Sequence, residues 1–375
     1  MPEELRNPGA LPAELTSFVG RRHELAEIKR LLSVSRLVTL TGMGGVGKTR
    51  LALWAAAEIR RAFPDGVWFV PLAELSDPGL LPNTIATALG LRTGGAVAGV
   101  AEYLEDKQLL LILDNCEHLV PACAVLAAKL LSATTGVSIL ATSRQVLRAD
   151  GEQVLPVPPL EVPELDEPGH REAVTLFADR AAAVLPGFRL TAENRDVVRR
   201  ICRRLDGIPL AIELAVVRLR VLSPEQILAR LDDRFRLLTT GSRTALPRRR
   251  TLEAAIDWSF ELCTPAEQRV WAAVSVFTAG FDLDAAEAVC ADEEIAAEDV
   301  LDLIAGMVDK SIITRRNGTY GRTAWFRMLE TVREYGQAKL AESGHAEGVR
   351  VRHAAYYVEL VRRYWADGFS PQQLE

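Results

Sequence analysis

The 375-residue chain has no long apolar run, no paired cysteines and no excess of positive charge, and each absence excludes something. No stretch reaches the ~18 uncharged apolar residues of a membrane-spanning helix. The nearest candidate, Leu119–Leu131, is interrupted by Lys129. The N-terminus begins Met1-Pro2-Glu3-Glu4, acidic and without an apolar segment, so no signal peptide is expected and the place of work is expected to be the cytoplasm. The five cysteines (Cys116, Cys123, Cys202, Cys263 and Cys290) form no CxxC pair, and no histidine stands at zinc-finger spacing from them. An odd, scattered set of this kind reads as reduced, buried thiols rather than disulfides or metal ligands. A net charge of −6 argues against a chain whose main surface tracks nucleic acid, while leaving room for one local basic patch. Internal repeats are also missing. What is present is ordinary globular material, 49% apolar and 25% charged, over a length that suggests two or three domains.

Strand and helix patterns alternate over residues 18–158. Helical periodicity runs over His23–Leu32. The β-branched run Arg36–Thr41 predicts a strand ending at Gly42, and the alanine-rich Thr49–Arg61 predicts a helix. Gly66–Pro71, Leu109–Leu113, Val137–Thr142 and Val154–Val157 predict further strands, with a helix over Leu119–Leu131. Leu109–Leu113 is apolar at every position, as a strand buried on both faces is. The expected fold is therefore an α/β domain with a parallel, doubly wound sheet. Residues 1–17 are expected to be a mobile N-terminus. A proline- and acid-rich linker, Pro156–His170, leads to an all-α lid domain over 159–240. Its predicted helices are Glu172–Val184, Glu193–Leu205, Pro209–Leu219 and Pro224–Leu231, with Thr191 and Ser223 as N-caps. A second linker, Thr239–Arg250, holds Arg243, Arg248, Arg249 and Arg250. Helices then precede a hairpin whose strands, Ser311–Thr314 and Thr323–Met328, bracket the turn signal Asn317-Gly318. That order describes a winged-helix domain over 241–340. Residues 341–375 read as the start of a further helical region, and the chain reads as a possible fragment of something longer.

Gly42-Met43-Gly44-Gly45-Val46-Gly47-Lys48-Thr49 matches GxxxxGK[ST]. Gly42, Gly44, Gly45 and Gly47 allow turns that aim successive N–H groups at phosphate oxygens, and the helix opening near Lys48 adds its positive end. Lys48 is expected on the β- and γ-phosphates of ATP or ADP, and the Thr49 hydroxyl on Mg²⁺. The strand before the loop and the helix after it are the context that confirms the motif. The apolar run ending in Asp114 supplies the carboxylate expected to hold Mg²⁺ through water. The next residue is Asn115, where fast ATPases often place a glutamate. An amide orients water but is no useful base, so slow hydrolysis is expected. Glu117 stands near, and its preferred reading is a cap or first residue of the following helix. Arg144 follows the strand Val137–Thr142 at the same sheet edge, where a cation can sense a γ-phosphate; the competing reading is a surface arginine.

These motifs together resemble the NB-ARC branch of the STAND ATPases, nearest to bacterial large LuxR-type and SARP-type regulators. The matching stretches are FVGRRHEL (18–25), LTGMGGVGKTRLA (40–52), LLLILDNCEHL (109–119), ILATSR (139–144), GIPLAIELA (207–215), TLEAAIDWSF (251–260) and FRMLETVREY (326–335), which span nearly the whole chain from residue 15 onward. The resemblance implies that Val19 and Arg21 lie near the adenine and its ribose-phosphate, and that Arg50 and Val46 belong to the nucleotide contacts. It implies that Arg144 reads the γ-phosphate, and that Pro209 closes the lid onto the base. A resting state holding ADP, and self-association on exchange for ATP, are implied as well. One position departs from the family. Eukaryotic relatives carry Met-His-Asp, whose histidine touches the ADP β-phosphate; here Met328, Leu329 and Glu330 stand in its place, and leucine cannot donate that hydrogen bond.

Three functions compete at this stage: a nucleotide-driven regulatory switch with slow ATPase activity, a DNA-binding protein acting through its own winged helix, and a metabolic kinase or ATPase. The arginines of 243–250 support the second, with a solvated linker as the plainer reading. The third needs a substrate pocket with a catalytic base, and no such constellation is visible. The first is preferred, with DNA contacted only through modules outside this chain.

Overall fold

In a computed structural model, residues 11–12, 17–91, 97–162, 172–231, 252–317 and 324–366 are described. The chain divides into two compact units, residues 1–255 and 256–375.

The first unit is organised by five parallel strands: β1 (Leu37–Thr41), β2 (Val67–Pro71), β3 (Leu109–Asp114), β4 (Val137–Thr142) and β5 (Glu152–Pro156), in the order β2-β3-β4-β1-β5. β1, β3 and β4 are buried along their whole length, and they are the three interior strands. β2 and β5 form the edges, and both end in proline, a residue the ladder tolerates only there. Helices α1 (Arg22–Val34), α2 (Lys48–Ile59), α3 (Leu81–Ala88), α4 (Val97–Leu104) and α5 (Val120–Ala133) flank the sheet. The expected doubly wound sheet is thus present. α3 and α4 are additions between β2 and β3 that periodicity did not reveal, because eight residues make too short a pattern. Their Leu81, Ile85, Val100 and Leu104 complete a core with Leu111, Leu113, Leu126 and Leu130.

Four helices follow in the same unit: α6 (Glu172–Val184), α7 (Ala192–Arg204), α8 (Pro209–Val217) and α9 (Pro224–Arg230). Thr191 and Ser223 cap α7 and α9 in reciprocal boxes with Asn194 and Gln226, and Pro209 and Pro224 occupy first-turn positions. These four match the expected helices to within two residues at their ends. The arginine-bearing linker and the residues that would join α9 to the next helix lie outside the described residues.

The second unit takes in the greater part of α10 (Leu252–Glu261), then α11 (Pro265–Val274), α12 (Leu283–Cys290), α13 (Ala297–Asp309), the antiparallel pair β6 (Ile313–Asn317) and β7 (Ala324–Met328), α14 (Glu330–Ser343) and α15 (Ala346–Ala366). Phe260, Trp271 and Tyr335 cluster in edge-on and tilted contacts, with ring centroids 5.4–5.7 Å apart. The hairpin is present, but Asn317 pairs with Ala324. Asn317 is therefore the last residue of β6, and Gly318 lies outside the described residues. All five cysteines are unpaired and buried, and burial pushes the Cys263 and Cys290 thiols up to about 12. Among the described residues no helix is long and apolar enough to cross a membrane, and no cluster of three metal-ligating side chains occurs.

Candidate nucleotide-binding site

The loop Gly42–Gly47 joins the interior strand β1 to α2, whose first residue is Lys48. Because β1, β3 and β4 are parallel, their C-terminal ends deliver this loop, Asp114 and the Thr142–Arg144 segment to one sheet edge. Lys48 lies over the loop: its ammonium donates to the carbonyls of Gly42 at 2.6 Å and Met43 at 3.1 Å. Two glycines are required by close approach. A Cβ on Gly44 would lie 2.8 Å from a terminal nitrogen of Arg144. On Gly45, with φ of +86°, it would lie 2.9 Å from Leu210 Cβ.

Asp114, at the end of β3, accepts on one oxygen from the Thr49 hydroxyl and from the Thr142 hydroxyl, each at 2.6 Å. The Thr142 hydroxyl in turn accepts from the Asn115 backbone N–H at 3.0 Å. Asn115 adopts the left-handed conformation (φ 70°), which asparagine tolerates better than most residues, and this turns the chain sharply away from the strand. Thr49 and Asp114 together give a hydroxyl and a carboxylate, the hard oxygen donors that Mg²⁺ takes. The glycine loop, Lys48 and the N-terminus of α2 suit a polyphosphate. The residues present therefore fit a magnesium nucleotide.

Glu117 differs from its expected place. It lies in a single 3₁₀ turn, Cys116–His118, and caps nothing; the N-cap of α5 is Leu119, without a side-chain cap bond. Its carboxylate instead accepts from Arg144 Nε at 3.1 Å, with both side chains buried. Burial disfavours its charge, but the Arg144 and Lys48 cations outweigh that, and the carboxyl is held below the ordinary carboxylate range. Arg144 is buried as well, which removes the surface-arginine reading.

The remaining candidates are spread around the loop. Arg21, left-handed and buried, donates to the Val46 carbonyl at 3.1 Å and to Glu24 at 2.7 Å, while its backbone N–H donates to Glu172 of α6 at 2.6 Å. Val19 is half-buried two residues before it. Arg50 is turned to the Ser17 carbonyl (2.9 Å) and Glu213 (3.6 Å). Pro209 opens α8, but the contact with the loop is made by its neighbour: Leu210 N–H donates to the Gly45 carbonyl at 3.2 Å. Sequence reasoning missed Thr142, the pairing of Glu117, Leu210 and Glu172. The first three lie inside motifs already singled out; Glu172 lies in none and carried no signal.

The NB-ARC domain family model matches residues 22–157, and the winged helix-turn-helix domain model matches 264–341. An uncharacterised Mycobacterium tuberculosis protein is 42% identical over 343 residues, covering 90% of this chain and 85% of its own length. A second M. tuberculosis protein, named as an HTH-type transcriptional regulator, is 45% identical over 338 residues; the chain spans only 37% of that relative's length. The regulatory protein AfsR of Streptomyces coelicolor is 27% identical over 359 residues, 88% of this chain and 33% of AfsR. Among solved structures, a Walker-type ATPase of Pyrococcus abyssi superposes with a TM-score of 0.54 at 13% identity, over 85% of this chain and 96% of that one, a likeness of fold alone. With the glycine loop, Asp114 and Arg144 at one sheet edge and a winged helix-turn-helix after them, the chain belongs to the NB-ARC family.

Proposed function

We propose that this chain is an adenine-nucleotide switch, the regulatory NTPase part of a longer signalling or transcriptional regulator. Lys48 and the Gly42–Gly47 amides would take the phosphates, and Thr49, with Asp114 through water, would hold a Mg²⁺ ion that supplies positive charge against them. Arg144 meets the γ-phosphate. Hydrolysis is slow, because the residue after Asp114 is an amide. ATP favours self-association, and the protein works in the cytoplasm. The observation that carries this reading is the hydrogen bond between Thr49 and Asp114 at 2.6 Å, which brings the two cation-binding groups of separate motifs together beside the loop. Lys48→Ala removes the ammonium from the phosphates and is expected to weaken ATP and ADP binding at least about a hundredfold, more than 2.7 kcal/mol; calorimetric titration with Mg²⁺ checks it, and unchanged affinity sinks the assignment. A turnover above about ten per second, the median for enzymes, defeats the slow-ATPase part.

A DNA-binding reading is favoured by the winged helix-turn-helix match and by relatives named as transcriptional regulators. It is opposed by α13, the second helix of the α12–α13 pair and thus in the place of a groove-reading helix. α13 carries Glu298, Asp299, Asp302 and Asp309 and no lysine or arginine, so it repels the phosphate backbone. Steeply salt-dependent duplex binding by the full chain reverses this ranking.

A further inference from the structure

Glu117 is buried, charged and only half used. Its Oε1 accepts from Arg144 Nε, with the two side chains 4% and 7% exposed. Its Oε2 is buried and has no partner among the described residues. A carboxylate retained for the fold has its oxygens satisfied, because a buried acceptor left unmet costs about 1–3 kcal/mol. Glu117 also caps no helix. The guanidinium it grips is held by its Nε edge and lies with its face over the phosphate loop, the position of a Gly44 Cβ being 2.8, 3.0 and 3.1 Å from Nη2, Cζ and Nη1. A guanidinium is rigid and planar, so fixing one edge fixes the direction of the other.

We propose that Glu117 is a positioning residue for triphosphate recognition: by holding Arg144 Nε it keeps the guanidinium over the phosphate loop, with its terminal nitrogens beside Gly44. This rests on the nucleotide-site reading, with Arg144 as the group that meets the γ-phosphate. Without the acceptor, Arg144 keeps its charge and loses the bond that fixes its Nε edge. The quantity Glu117 sets is the preference for ATP over ADP, while the contacts to the α- and β-phosphates are untouched.

The test measures ATP and ADP affinities of the full chain with Mg²⁺ by displacement of a fluorescent ADP analogue. Arg144→Ala is expected to lower the ratio of ATP to ADP affinity at least about fivefold. Glu117→Asp keeps the charge but withdraws it by one methylene, and lowers the ratio comparably. Glu117→Gln, whose amide oxygen still accepts from Nε, keeps most of it. Adding Glu117→Asp to Arg144→Ala lowers it no further, because the two act as one unit. Should Glu117→Asp not fold, Glu117→Ala replaces it in the same comparison. The reverse ranking, with Asp retaining the ratio and Gln losing it, overturns the proposal, since charge and not the bond to Nε is then what matters. An unchanged ratio in Glu117→Asp beside a fallen one in Arg144→Ala overturns it too. If Arg144→Ala leaves the ratio alone while Lys48→Ala abolishes binding, the nucleotide site stands and this proposal falls. If Lys48→Ala binds normally, the nucleotide reading itself has failed.

Discussion

Two buried glutamates, each paired with a cation, separate the two units of this protein. In the second unit Glu267 uses both oxygens: Oε1 accepts from Lys310 Nζ at 2.5 Å and Oε2 from the Thr264 backbone N–H at 2.7 Å, closing the capping box of α11. Even Gly306 of α13 fits this arrangement, since a Cβ there would lie 2.3 Å from Glu267 Oε1. In the first unit Glu117 uses one oxygen, and the neighbouring Asn115 side-chain amide is also buried without a partner. A low-dielectric interior strengthens satisfied polar groups and penalises unsatisfied ones. Glu267 is therefore an element of the fold. Glu117 and Asn115 are a cost carried at the sheet edge where the phosphate loop, Asp114 and Arg144 meet. Of these two buried carboxylates, the one at the site is the one left partly unmet.

The contrast is open to direct attack. The largest effect is expected for Glu267→Ala, which strands Lys310 and opens the capping box. It should destabilise the second unit by about 3 kcal/mol in urea unfolding, with nucleotide affinity unchanged. A loss of nucleotide affinity without a loss of stability breaks the contrast. Next comes Gly45→Ala. The positive φ and the approach of Leu210 together predict a loss of about 2 kcal/mol. Weaker nucleotide binding should accompany it, readable by thermal melts with and without ADP. The smallest is Thr142→Val, which keeps the shape but removes the hydroxyl between Asp114 and Asn115 and costs about 1 kcal/mol of stability. Here the informative readout is the Mg²⁺ dependence of ATP binding, expected to weaken because Asp114 loses a donor that orients it.

Most of the first unit was legible because its signals are local. The apolar run Leu109–Leu113 marks an interior strand, and Thr191 and Ser223 mark helix starts, since a side-chain oxygen three residues before an orphan N–H is a short-range event. The phosphate loop was legible for the same reason: its glycines, lysine and threonine act within eight consecutive residues. α3 and α4 were missed because two short helices leave too little periodicity. The hairpin was found, but β6 runs on through Asn317, because strand length is set by pairing with β7 and not by the local turn signal. Glu117 was taken for a cap because in sequence it stands just before a helix. Its partner Arg144 lies 27 residues away and becomes a neighbour only when β3 and β4 pair.

The sequence alone determined that a phosphate loop, an acidic strand end and an arginine occur in the order of an NB-ARC domain, and that helices and a winged hairpin follow. Each of those features is carried by neighbouring residues whose backbone and side-chain chemistry act within a few bonds. Only the tertiary structure decided that Thr142 shares Asp114 with Thr49, that Leu210 donates to Gly45, and that Glu117 faces Arg144. Those contacts join side chains from different strands and helices. Their distances are set by sheet pairing and helix packing, which no single stretch of chain contains.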